Sequence, residues 1–120
     1  STALVKRNFY WMLYNFIDKR MVADKIRSFK IVSDSPKEKI MIVQQENKYG
    51  VLSNTRGMIV PATFSDIVNV GSATQPLYFT EKHVEEAAIF VVIYYNKDGV
   101  QLRKYVYEGS DYEKIYCSGK

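Results

Sequence analysis

The chain has 120 residues, 47% of them hydrophobic and 25% charged, with a formal net charge of +4 at neutral pH. That length suits one ordinary domain burying roughly two-thirds of its unfolded surface, and those proportions fit a soluble globular protein rather than a disordered or membrane-spanning one. The basic residues are interspersed with acidic ones, so the charge does not single out nucleic acid. No apolar run approaches the roughly 20 residues of a membrane-spanning helix, no export signal is visible, and the compartment is left open. Ten tyrosines, six phenylalanines and one tryptophan favour pleated, half-buried surfaces where a ring packs and a polar tip reaches water.

In chain order, the stretch from Ala3 to Phe29 lacks Gly and Pro. Its apolar Val5, Phe9, Met12, Leu13 and Phe16 also suit a helix face, so β structure is expected from Phe9 onward, with room for a short N-terminal helix before it. Ser33 to Lys39 reads as a polar, Pro-containing loop. Ile40 to Val43 is a strand, Glu46-Asn47-Lys48 a turn and Tyr49 to Leu52 the returning strand. Asn54 to Gly57 turns the chain again, Met58 to Val60 leads out, and Pro61 is expected to end the pairing because it lacks an N–H.

Gly71 to Pro76 reads as a second loop, also too short to link domains. Ala87 to Tyr95 is a long apolar strand expected to be buried on much of both faces. Asn96-Lys97-Asp98-Gly99 is a strong hairpin signal, and Val100 to Tyr107 is the return strand, with an alternation that suggests one wet face. Cys117, the only cysteine, excludes an intrachain disulfide and fits a small apolar strand residue.

Self-similarity organises these segments into three copies over residues 9–33, 40–80 and 87–117 of a single domain, 1–120. Asn47-Lys48-Tyr49-Gly50-Val51 aligns with Asn96-Lys97-Asp98-Gly99-Val100 at four of five positions. Phe64 and Ile67 then fall near Tyr112 and Ile115. In a weaker copy, Trp11, Leu13, Tyr14 and Asn15 fall over Tyr49, Val51, Leu52 and Ser53, and Lys19 stands where Gly57 does; a register that places Tyr14 over Tyr49 matches almost as well.

The middle copy, Tyr49-Gly50-Val51-Leu52, then Arg56-Gly57-Met58-Ile59-Val60-Pro61, then Phe64-Ser65-Asp66-Ile67, resembles one unit of the WG-repeat family. In that family an aromatic-Gly pair is followed by a turn Gly, an apolar pair, Pro and an aromatic ahead of Ile. The resemblance implies an all-β fold of consecutive antiparallel hairpins, a mostly bacterial distribution and no established enzymatic activity. The outer copies depart from the pattern: Met12 follows Trp11, and Asp98 takes the aromatic position. Atypical terminal copies are expected where one face has no neighbour to cover it.

No set of residues assembles into catalytic chemistry. His83, the single histidine, lies among Glu81, Glu85 and Glu86, and a solvated turn explains it better than a metal site, which needs spaced ligands. The serines lack a nucleophile elbow, and Gly50, Gly57 and Gly99 are separate glycines, not a phosphate loop. No cofactor, metal or catalytic residue is expected. Phe9, Tyr10, Trp11 and Tyr14 beside Lys6, Arg7, Lys19 and Arg20 could stack single-stranded nucleic acid, but core packing under snorkelling cations is the preferred reading.

The function expected is therefore a binding module, its partner a protein met through a sheet face or open edge. The strip expected to carry it is Tyr94, Tyr105 and Tyr107 with Arg103 and Lys104, because aromatic and Arg side chains dominate interface energetics. An architectural alternative is a terminal cap of a longer repeat array.

Overall fold

A computed structural model describes residues 2–110, which form ten β-strands in two antiparallel sheets. The chain divides into two compact units between Thr63 and Phe64. The first sheet holds β1 (Thr2–Arg7), β2 (Tyr10–Asn15), β3 (Arg20–Asp34), β4 (Lys39–Gln45), β5 (Lys48–Ser53) and β6 (Gly57–Phe64), in chain order. The second holds β7 (Asp66–Asn69), β8 (Tyr78–Val84), β9 (Ile89–Tyr95) and β10 (Gln101–Glu108), again in sequence. The all-β series of consecutive hairpins expected from the sequence is the architecture of the chain.

Several local expectations are corrected. The N-terminal stretch forms no helix: β1 begins at Thr2 and turns at Asn8 and Phe9 into β2, pairing Leu4 with Leu13 and Val5 with Met12. Pro61 does not end a strand, since β6 runs on to Phe64. It lies at the sheet edge, where a missing N–H leaves no gap in a ladder. β3 extends into the expected loop as far as Asp34. The strand expected from Ala87 starts at Ile89, after a 3₁₀ turn at Glu85–Ala87 and a left-handed Ala88 (φ 53°), and only Val92 within it is fully buried. Tyr112, Ile115 and Cys117 lie outside the described residues.

The core of the first unit follows from strand alternation. Leu13, Ile26, Met41, Val43 and Leu52 are buried together, with Leu4, Trp11, Val22, Ala23 and Phe29 packed against them. Trp11 meets Phe29 edge to face at 5.3 Å, a favoured ring arrangement. Each fully buried aliphatic side chain contributes about 1.5–3 kcal/mol of transfer free energy.

The turns share a chemistry. Asn15 Oδ1 accepts hydrogen bonds from the N–H groups of Ile17 and Asp18, both at 3.0 Å. Ser53 Oγ accepts from Thr55 and Arg56 at 3.2 and 3.1 Å. Each turn ends on a left-handed residue, Lys19 (φ 52°) in one and Gly57 (φ 79°) in the other. The residues matched in the weaker sequence alignment thus have equivalent geometry. The stronger alignment joins unlike positions: Gly99 is a left-handed turn residue (φ 77°), whereas Gly50 lies inside β5. A Cβ on Gly50 would stand 2.7 Å from the Val60 carbonyl oxygen and 2.8 Å from the Ala62 nitrogen, so that glycine admits the close approach of β6.

In the second unit Phe64, Ile67, Tyr78, Thr80 and Val92 are buried. The Thr80 hydroxyl donates to the Ile93 carbonyl at 2.7 Å, which satisfies a buried polar group within the sheet. Phe64 packs edge to face on Tyr95 at 5.9 Å, and burial pushes the Tyr95 phenol pKa up.

Candidate functional site

The chemistry-bearing residues of the second sheet are sorted by strand alternation. The register pairs Arg103 with Tyr94, Tyr105 with Val92 and Tyr107 with Phe90, so these six share one face of β9 and β10. β8 extends that face, with Phe79 opposite Tyr94, Glu81 opposite Val92 and His83 opposite Phe90. A register shift between Gln101 and Arg103 inserts Leu102 as a bulge and brings Arg103 into phase with the tyrosines. Asn96 fixes the preceding turn: its Oδ1 accepts from the Asp98 N–H at 2.9 Å and the Val100 N–H at 3.0 Å.

Of the strip expected from the sequence, Tyr94, Arg103, Tyr105 and Tyr107 are brought together, and with Leu77 and Leu102 they line a shallow cleft of about 520 Å³. Lys104 is not with them. It pairs with Ile93 on the opposite face, because neighbouring residues on a strand point to opposite sides. The rings form a connected series: Phe79 to Tyr94 at 5.5 Å and 72°, Tyr94 to Tyr105 at 6.3 Å and 89°, and Tyr105 to Tyr107 at 6.2 Å and 28°. Arg103 Nη1 donates to the Tyr105 hydroxyl at 3.2 Å. That bond raises the guanidinium pKa further, so the site carries a fixed positive charge at every physiological pH. Tyr105 is 37% exposed, which leaves ring surface available to a partner.

Phe79, Phe90, Leu77 and Leu102 were not among the residues singled out from the sequence. Phe79 and Phe90 could have been found from cross-strand register, but the 3₁₀ turn at Glu85–Ala87 conceals where β8 ends and β9 begins. His83 belongs to β8 instead of a solvated turn and stacks on Phe90, with centroids 4.3 Å apart and planes at 7°. Among the described residues no group of three or more His, Cys, Asp or Glu could hold a metal ion, and no helix is long and apolar enough to cross a membrane.

The N-terminal aromatic and basic cluster is divided between two faces. Trp11 packs on the core with Lys6 Nζ over its ring at 5.8 Å, while Tyr10 and Tyr14 line a groove on the other side of β2. Phe9 stands at the turn, 87% exposed. Arg20 lies 3.8 Å from Asp18. No single stacking platform results from these residues. The chain matches no known protein family, no curated protein and no solved structure.

Proposed function

We propose that this chain is a non-catalytic binding module that engages a protein partner through the aromatic face of β9 and β10. The observation that supports this reading is the convergence of Tyr94, Tyr105, Tyr107 and Arg103 around one cleft on a sheet surface. Tyrosine rings offer large contact area with few torsions to freeze, and their hydroxyls can bond a partner's backbone. Arg103 adds a planar donor set suited to carboxylates and carbonyls. The hydrogen bond to Tyr105 holds that guanidinium in place before a partner arrives.

Panning a displayed peptide library against the chain tests the reading. Selected peptides are expected to lose affinity by about tenfold or more for a Tyr105→Ser/Tyr107→Ser variant whose circular dichroism and urea midpoint are unchanged. Peptides that bind the double variant equally well would place recognition elsewhere. In this reading the WG-repeat-like pattern supplies the scaffold, and its glycines serve turns and close strand approach.

A second reading, an architectural cap of a longer repeat array, draws support from the equivalent turns at Asn15–Lys19 and Ser53–Gly57. Further copies of the aromatic-Gly and Gly-apolar-apolar-Pro pattern upstream in the parent reading frame would favour it.

A further inference from the structure

The first sheet carries a second candidate site, built around a backbone irregularity. In the pairing of β2 with β3 the register steps from Trp11 opposite Ile26 to Leu13 opposite Ala23, so Met12 faces two residues, Asp24 and Lys25. This is a β-bulge, and Lys25 within it is left-handed at φ 55°. A left-handed lysine has no steric excuse of the kind glycine has and persists only where its surroundings fix it. Here Asp24 Oδ1 accepts from the Lys25 N–H at 2.7 Å, and the Asp24 carbonyl accepts from Gln45 Nε2 at 2.8 Å.

The bulge forms one side of an open groove of about 480 Å³. Tyr10, Met12 and Tyr14 line it from β2, Met21 joins Asp24 and Lys25 from β3, and Asn8 closes the turn end. That volume lies within the usual range for small-molecule sites, about 300–1,000 Å³. The apolar lining is of a particular kind: two phenol rings, with Tyr14 held edge to face by Phe16 at 5.1 Å, and two polarizable thioethers. Such a lining suits a flat aromatic group better than an aliphatic chain. Of its two charged lining residues, Lys25 has no ion-pair partner for its ammonium among the described residues, whereas an oxygen of Asp24 is engaged by the backbone.

We propose that this groove binds a small aromatic carboxylate, its ring against Tyr10, Met12, Tyr14 and Met21 and its anionic group on Lys25. The bulge then has a functional reason, since it turns Lys25 toward a face that regular alternation would populate with a single residue opposite Met12. The site belongs to the first unit and does not depend on the partner face of the second.

The probe is 2-naphthoate, titrated into the full chain and followed by the methionine methyl NMR signals, with neutral 2-naphthalenemethanol as its uncharged counterpart. The Met12 and Met21 methyls are expected to shift, and that of Met41, fully buried in the core, to stay in place. Lys25→Asn removes the ammonium and keeps a residue that tolerates a left-handed backbone. It should weaken 2-naphthoate about twofold to fivefold and leave the alcohol unchanged. Asp24→Asn keeps the acceptor for the Lys25 amide, removes a repelling charge and should tighten 2-naphthoate binding. Silent Met12 and Met21 methyls at millimolar probe would overturn the proposal. Equal losses for acid and alcohol in Lys25→Asn, or no loss for the acid, would do the same.

Discussion

At Glu38, the Ser53 and Thr55 hydroxyls and the Arg56 guanidinium converge on one carboxylate. Arg56 Nε donates at 2.7 Å and Thr55 Oγ1 at 3.2 Å, while Ser53 Oγ, fully buried, donates to the same oxygen. Burial alone would push this carboxyl up, but the hydrogen bonds from Arg56 and Ser53, the Arg56 charge and the Thr55 hydroxyl outweigh it and hold the pKa below its ordinary 4.5. A depressed carboxyl pKa stabilises the fold above the unfolded value, and that stability is lost as pH falls through the folded value. Glu38→Gln should therefore cost about 1 kcal/mol at pH 7, a figure kept low because the pair is partly solvent-screened. The deficit should shrink once pH drops below 4.5 and disappear below the folded pKa. Urea midpoints of both proteins across that range check it, and a deficit independent of pH would mean that the charge contributes nothing.

At the scale of the element, the two equivalent turns make a paired prediction. Lys19 and Gly57 both close a turn in the left-handed region, but only glycine does so without strain. Lys19→Gly should raise stability by up to about 1 kcal/mol, since relief of strain exceeds the added freedom of the unfolded chain. Gly57→Ala, with open space around its Cβ, should lower it by about 1 kcal/mol through backbone conformation alone. Thermal unfolding of both variants reads the two signs.

Turn chemistry of this sort is what made the hairpins from Ile40 onward legible in the sequence, since Asn, Ser and Gly announce a reversal wherever it falls. The N-terminal hairpin was obscured by its own symmetry. Folding at Asn8 and Phe9 sets Val5 opposite Met12, and in linear sequence that spacing of seven imitates a helical stripe. The candidate site was readable as far as period two was applied. It joins Arg103, Tyr105 and Tyr107 and separates Lys104, whereas Phe79 and Phe90 depend on a register that no local signal supplies. The bulge at Lys25 was unreadable, because nothing in the residue type announces a left-handed lysine.

At the scale of the molecule, every hydrogen-bonded strand neighbour in either sheet is also a neighbour along the chain. Pairings are therefore local, which lowers the loop-closure cost of each and favours assembly hairpin by hairpin. The same connectivity fixes how the first sheet answers to tension. β1 and β6 occupy its opposite edges, so pulling on the two ends loads an outer ladder one hydrogen bond at a time. Strands that are pulled past one another in shear resist with all their bonds together; strands peeled sideways do not. In an optical trap the first sheet should lengthen as a series of small, reversible, low-force steps, each the release of one strand, and a single abrupt rupture would contradict this. Its side chains can bind firmly at the surface while the scaffold beneath them yields to traction like a zip.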